Sequence, residues 1–246
     1  PDALMTGYAL SVLPGGLTII SRQAFAFQRL TADALFFPIR VANMSYESGS
    51  APSSLEVMAM DEAANVADLL IVVETGNGGP LPLNGAAVAS ALNGLVVGAV
   101  APFNRRLASF SPAALPLITG REYPDLVADG VNVWGALASS NQGAIASGAS
   151  FAAPQVAGAA ALCFERRPTA SALEARAALL ATTEDLRASN GGTSAGVGAG
   201  YLRDDRLDLL ASGAGLLDTG TLPAINTPSS FSLPVSAGQE YTIAVT

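Results

Sequence analysis

The sequence predicts an α/β protein in which three layers are built around a mainly parallel sheet. Residues 69–73 and 95–100 are short, continuous apolar runs, typical of strands that are buried on both faces of a parallel sheet. A third run, residues 150–164, is small or apolar on nearly every face, which predicts a helix buried in the interior. Strands that alternate with helices favour a layered architecture, with this helix packed in the core.

The other elements follow from local patterns along the chain. Further strands are predicted at residues 17–20, 39–44 and 132–134, which are short, mostly apolar runs. Apolar residues recur at helical spacing from 55 to 67, and Ser53 with Glu56 forms the pattern of a capping box at the start of this helix. Ser171 and Glu174 form a second such pattern, which predicts the start of another helix after Pro168.

The character of the sequence changes after about residue 210. Glycines and prolines recur between 213 and 228, and two short strand-like runs follow around a Ser-Ala-Gly turn. In the second run Tyr241, Ile243 and Val245 alternate as in a half-buried strand. We therefore predict a first domain over 1–212, a linker over 213–228 and the start of a C-terminal β-rich, sandwich-like module over 229–246.

Composition excludes several classes of function. Half of the 246 residues are hydrophobic and 13% are charged, which excludes a disordered chain. The net charge of −8 and the lack of a basic patch argue against a nucleic-acid partner, because a phosphate backbone selects basic surfaces. The longest apolar stretch, 151–164, contains Pro154 and Gln155 and is too short to span a membrane. The lone Cys163 lies in this stretch and is predicted to be a buried structural thiol.

The strongest chemical signal is the segment SGASFAAP at residues 147–154. Small residues surround Ser150, and the predicted buried helix begins there. Backbone N–H groups and the positive end of the dipole at a helix N-terminus favour a developing anion, so this position suits a nucleophilic hydroxyl. The same segment could simply cap a core helix, and its spacing alone leaves both readings open.

With its continuation QVAGAAAL, this segment resembles the nucleophile motif of the subtilisin-like serine proteases, the subtilases of peptidase family S8. The usual form of the motif is Gly-Thr-Ser-x-Ala-x-Pro, and Ala149 stands where Thr is usual. The resemblance implies a serine-type endopeptidase that hydrolyses peptide bonds through an acyl-enzyme on Ser150. It also implies the subtilisin-like three-layer fold.

The run LLIVVETGNGG at 69–79 resembles the subtilase strand that ends in Ala-Gly-Asn. The resemblance implies that Asn77 supplies half of the oxyanion hole, whereas Gly-Asn-Gly by itself would indicate only a turn. Glu74 stands where the family has a small apolar residue. Its side chain could line the substrate pocket and favour basic side chains, or it could point to solvent.

Four further stretches match the family in order. VANMSYES at 41–48 resembles the segment whose backbone pairs with substrate, which implies substrate binding by Ser45, Tyr46 and Glu47, and by Gly76 of the previous motif. The other three are LVVGAVAPFNRRLASFSP at 95–112, DLVADGVNVWGA at 125–136 and GVGAGYLRDDRLDLLA at 196–211. The resemblance covers residues of about 17 to 211.

The sequence contains no histidine, although subtilases use an Asp–His–Ser triad. Two explanations stay open. The chain is either truncated, with the Asp and His segments upstream of Pro1, or it is a degenerate relative in which the histidine is replaced. In either case we expect the chain alone to be inactive. The alternative function is a non-catalytic, subtilase-like domain that binds peptides or partners.

Partners and cofactors follow only from the resemblance. It implies polypeptide substrates and a secreted or cell-envelope location, with no membrane span and no nucleic acid. No cofactor is evident. Many subtilases bind calcium through loop carboxylates and carbonyls, but no clustered run of such ligands is visible, so calcium binding stays undetermined. We interpret Asp204, Asp205 and Asp208 as a solvated helix face and predict no metal site.

Overall fold

The computed structural model describes residues 5–7, 20–46, 55–79, 87–113, 123–137 and 140–207. The helices within these ranges are α1 (Ile20–Ala34), α2 (Leu55–Val66), α3 (Ala149–Arg166) and α4 (Ala172–Ala181). The strands are β1 (Val41–Met44), β2 (Leu70–Glu74), β3 (Leu95–Val100), β4 (Leu126–Asp129), β5 (Val133–Ala136) and β6 (Gly143–Ala146). Short 3₁₀ helices occur at Ala87–Ser90, Ala188–Asn190 and Asp204–Arg206.

The first four strands form one parallel sheet in the order β1-β2-β3-β4. Val41 of β1 lies opposite Leu70 of β2, and Val97 of β3 lies opposite Leu126 of β4. β5 and β6 form a separate antiparallel hairpin. The predicted mainly parallel α/β fold is confirmed. Because all four strands run the same way, their carboxyl ends share one edge of the sheet, where parallel sheets place binding sites.

Side chains of β2 alternate between two hydrophobic cores, one on each face of the sheet. Leu70 and Val72 pack in the core that contains α3 and α4, whereas Ile71 and Val73 pack in the core that contains α1 and α2. This alternation follows from the two-residue period of a strand. The sheet is therefore the middle of three layers, and both of its faces are covered by helices.

Helix α3 crosses all four strands of the sheet and is covered on its sheet-facing side. Cys163 is buried there, as predicted, and burial raises the pKa of its thiol. The prediction that the helix is buried on nearly every face is wrong for one stripe. Pro154, Gly158 and Leu162 recur every four residues on an exposed face, because α3 belongs to an outer layer of the domain.

The capping box at the start of α4 is confirmed. The Ser171 hydroxyl accepts a hydrogen bond from the Glu174 N–H, and the Glu174 carboxylate accepts one from the Ser171 N–H at 2.7 Å. Donation to the Glu174 carboxylate from the Ser171 N–H, and from the Ser171 hydroxyl at 2.9 Å, lowers the pKa of Glu174. A lowered folded-state pKa means that the carboxylate stabilises the helix above its ordinary pKa and that this contribution is lost as pH falls through the lowered value. Ser53 of the other predicted capping box lies outside the described residues.

The strand predicted at 17–20 is wrong where it can be compared, because Ile20 begins helix α1 and residues 17–19 are outside the described ranges. The described part of α1 buries Gln23, Ala24, Phe27 and Leu30 on one helical face. Apolar runs in the sequence did not predict strands β4 and β6. Strand β4 does lie within the 125–136 segment that resembles a family strand. The predicted linker and C-terminal module lie outside the described residues.

No helix in the described ranges is both long and apolar enough to cross a membrane.

Candidate active site

Ser150 is the second residue of α3, and this helix end lies beside the segment that follows β2. Gly148 precedes the helix in an extended conformation. A Cβ atom on Gly148 would lie 2.8 Å from the Ser150 hydroxyl oxygen and 3.2 Å from the Asn77 side-chain oxygen. The serine hydroxyl and the Asn77 carboxamide therefore both border the space beside this glycine.

Asn77 connects the carboxyl end of β2 to the start of α3. Its side-chain oxygen accepts a hydrogen bond of 2.8 Å from the Ala149 N–H, and its side-chain nitrogen donates one of 3.1 Å to the Glu74 carboxylate. Gly76, with a φ of 91°, makes the turn that brings Asn77 back toward the helix. The structure thus places the two residues predicted as catalytic, Ser150 and Asn77, in one site.

The turn before Ser150 is held against the end of β3. The Gly148 N–H donates to the Gly130 carbonyl at 2.8 Å, and the Gly130 N–H donates to the Val100 carbonyl at 3.0 Å. The Ser147 hydroxyl accepts from the Asn132 N–H at 2.9 Å. These bonds fix the start of α3, and with it Ser150, relative to the sheet edge.

The family model described as Subtilase family, Peptidase S8, matches residues 23–200. The chain belongs to the subtilase family. Subtilisin BL from Lederbergia lenta is 35% identical over 152 residues, which cover 62% of this chain and 52% of that protein. An alkaline protease from Alkalihalobacillus alcalophilus is 35% identical over 152 residues but is covered over only 37% of its length. This subtilase chain therefore spans about half of the length of the first relative and less than half of the length of the second.

Solved structures agree with the fold. The prenylagaramide maturation protease PagA superposes with a TM-score of 0.67 at 18% identity, over 83% of this chain and 72% of that chain. At this identity the likeness supports the subtilase fold alone. The layered α/β fold of this chain is therefore shared with that solved structure.

The predicted substrate-binding residues of the subtilase chain lie at the same edge as Ser150, as far as they are described. Ser45 and Tyr46 are half-buried and directly follow β1, which pairs with β2. The Ser45 hydroxyl accepts a hydrogen bond of 3.0 Å from the Asn43 side chain. Gly76 is buried in the turn after β2, and Glu47 lies outside the described residues. Substrate binding by these residues stays a prediction.

Glu74 is only 2% exposed, so the alternative that its side chain points to solvent is wrong. Glu74 is the last residue of β2, and the two-residue period places it on the same face as Leu70 and Val72, toward α3. Sequence patterns missed its contact with Asn77. They also missed the acceptor role of the Asn77 oxygen, since the family motif implies only a donor.

The acidic residues predicted to form a solvated helix face are exposed where the structure describes them. Asp204 and Asp205 are exposed in a short 3₁₀ helix, and Asp205 pairs with Arg203 at 2.7 Å. Asp208 lies outside the described residues. Across the described ranges, no group of three or more His, Cys, Asp or Glu side chains is arranged to hold a metal ion.

At Gly130 the addition of a single methyl group should disturb the turn that precedes Ser150. A Cβ atom there would lie 2.5 Å from the Ala99 Cβ and 2.8 Å from the Gly148 carbonyl oxygen, both closer than packed atoms approach. We expect Gly130→Ala to reduce the free energy of unfolding by about 1–3 kcal/mol through overpacking. Thermal unfolding should show this as a melting temperature lower by roughly 2–4 °C per kcal/mol.

Gly158→Ala is the matched control for this prediction. Gly158 lies on the exposed stripe of α3, and no heavy atom lies within 4 Å of the Cβ that it would gain. Because alanine favours the helix over glycine by about 1 kcal/mol, this variant should melt higher than the parent. A Gly130→Ala protein that is as stable as the parent would contradict the close packing of Gly130 against the turn that precedes Ser150.

Proposed function

We propose that this subtilase chain carries the nucleophile and the oxyanion hole of a serine endopeptidase, with Ser150 as the nucleophile. The observation that carries this proposal is the hydrogen bond between the Asn77 side-chain oxygen and the Ala149 N–H, which holds the carboxamide beside Ser150. Family membership and the protease relatives support the same chemistry.

In the proposed reaction the Ser150 oxygen attacks the carbonyl carbon of a peptide bond, and the carbonyl oxygen gains negative charge. The Asn77 amide and the Ser150 N–H donate hydrogen bonds to this oxyanion. The first-turn N–H groups of an α-helix have no partner within the helix, and the helix dipole adds positive potential there. A general base, for which the 246 residues offer no histidine, would take the Ser150 proton and return it to the amine as the carbon–nitrogen bond breaks. Water then hydrolyses the acyl-enzyme and restores the Ser150 hydroxyl.

The substrate for this reaction would be an extended polypeptide. Ser45, Tyr46 and Glu47 follow β1, and Gly76 follows β2, so their backbones can flank a peptide at the carboxyl edge of the sheet. Addition of the substrate as an extra strand would supply main-chain hydrogen bonds and align the scissile bond with Ser150. The similarity to proteases supports a secreted or cell-envelope location for this proposed enzyme.

One observation favours a second candidate function. The 246 residues contain no histidine, whereas attack by a serine hydroxyl needs a base near neutral pH. A subtilase-like domain that binds peptides at the same sheet edge without cleaving them would need no such base. The two candidates share the peptide site and differ only in the reactivity of Ser150.

Labelling of the natural full-length protein with a fluorophosphonate separates the two candidates. The peptidase proposal expects one phosphonyl group, located by mass spectrometry on the peptide that contains Ser150, together with cleavage of a denatured protein substrate. A protein that binds unfolded polypeptide but neither cleaves it nor reacts with the probe would support the binding domain. Cleavage without label on Ser150 would overturn the assignment of the nucleophile.

A further inference from the structure

Glu74 brings a carboxylate to a part of the site where the family motif has a small apolar side chain. It ends β2, faces α3 and is 2% exposed. Its oxygen lies 3.1 Å from the Asn77 side-chain nitrogen. Burying a carboxylate costs free energy unless it accepts hydrogen bonds. The hydrogen bond from Asn77 therefore offsets part of the cost of burying Glu74.

The partners of Asn77 determine which way its carboxamide faces. The Ala149 N–H can only donate, so the atom at 2.8 Å from it must be the side-chain oxygen. A carboxylate can only accept, so the atom beside Glu74 must be the side-chain nitrogen. Rotation of the amide by 180° would set two donors against each other at Ala149 and two acceptors against each other at Glu74. Both contacts therefore select the same orientation.

We propose that Glu74 is a positioning residue that orients the Asn77 carboxamide for catalysis. This inference rests on the proposed function. A primary amide nitrogen has two N–H groups, so donation to Glu74 is compatible with donation to an oxyanion. Glu74 and Ala149 hold the nitrogen and the oxygen of the amide before substrate arrives, and such preorganised donors stabilise the transition state without the cost of reorientation.

The charge of Glu74 has the opposite effect on the reaction. A carboxylate near the oxyanion would disfavour the developing negative charge, whereas its hydrogen bond to Asn77 favours the correct geometry. Glutamine keeps an acceptor oxygen at nearly the same position and removes the charge. Alanine removes both. The two variants therefore distinguish positioning from charge.

The test compares Glu74→Ala and Glu74→Gln in the natural full-length protein by steady-state hydrolysis of a peptide substrate. Because Ala149 still holds the Asn77 oxygen, we expect Glu74→Ala to lower kcat by about 10-fold with little change in KM, less than the ~10²–10³-fold cost of losing the donor itself. Glu74→Gln should retain or exceed the parent kcat. Glu62→Ala, which removes an exposed carboxylate of α2, is the matched control and should leave kcat unchanged.

A double-mutant cycle shows whether Glu74 acts through Asn77. If it does, Glu74→Ala should have no further effect on kcat in an Asn77→Ala background, since residues that act as a unit are not additive. A further loss in that background, or equal losses in the alanine and glutamine variants, would overturn the proposal. So would a Glu74→Ala enzyme with the kcat of the parent.

The orientation of the amide can also be measured without activity. The Asn77 side-chain NH₂ signals, assigned by their loss in Asn77→Ala, should show slow hydrogen exchange in the parent and in Glu74→Gln, and fast exchange in Glu74→Ala. Unchanged exchange in a folded Glu74→Ala protein would overturn the positioning role. If Ser150→Ala left hydrolysis intact, the proposed function would fail, while this NMR result would still decide whether Glu74 holds the amide.

Discussion

Ser150→Ala should reduce peptide hydrolysis by the natural full-length protein by at least about 10⁴-fold in kcat. The variant lacks the oxygen that attacks the scissile carbonyl, so no acyl-enzyme can form and only binding and the oxyanion hole remain. In a subtilisin, loss of the nucleophile lowers kcat by about 2 × 10⁶, and a residual ~10³–10⁴-fold rate enhancement over water persists. Hydrolysis of a fluorogenic peptide measures the loss, and stoichiometric fluorophosphonate labelling should disappear with it.

The control for this variant is Ser189→Ala, which removes an exposed serine in a separate 3₁₀ helix. It should retain full activity and full labelling. Ser150 is half-buried at a helix end, and alanine favours a helix, so Ser150→Ala should fold as well as the parent. Loss of activity with an unchanged melting temperature would therefore report on chemistry. Full activity in Ser150→Ala would mean that another residue is the nucleophile.

Asn77→Ala should lower kcat by about 10²–10³-fold and leave KM nearly unchanged. That range is the cost measured in a subtilisin for the loss of one oxyanion-hole donor, and the physical reason is the same. The amide binds the oxyanion in the transition state more strongly than the neutral carbonyl of the bound substrate. Its loss therefore affects kcat rather than substrate affinity. Steady-state kinetics on the full-length protein measure both constants.

Asn77→Ala should also lower the free energy of unfolding, because the Asn77 side chain accepts a hydrogen bond from the Ala149 N–H. A buried donor left without its acceptor costs about 1–3 kcal/mol, so Asn77→Ala should also unfold at a lower denaturant concentration. Asn65→Ala, at an exposed position of α2, is the control and should change neither property. An Asn77→Ala enzyme that raises KM while keeping its kcat would show that Asn77 binds substrate and does not stabilise an oxyanion.

Local patterns were sufficient for the elements whose neighbours in sequence determine them. The continuous apolar runs of β2 and β3 predict strands buried on both faces, and the structure buries every residue of both. Ser171 and Glu174 are three residues apart, so the capping box depends on local geometry alone. The GASFAAP segment likewise located the start of α3 to within one residue. Helix α1 was missed even though its buried residues recur at helical spacing, so that its amphipathic pattern was present in the sequence.

The sequence by itself determined the α/β class, the parallel strands β1 to β3, the helix that carries Ser150 and the order of the family motifs. Tertiary structure alone decided the order of the strands, the exposed stripe on α3 and the contacts of Asn77. The two-residue period of a strand predicts that Glu74 and Val72 share a face of the sheet. It does not show which helix covers that face. Asn77 and Ala149 are 72 positions apart, and only the packing of α3 across the sheet brings the carboxamide to the helix end. The donors and acceptors around Ser150 come from separate elements, so no local pattern could show how they are arranged.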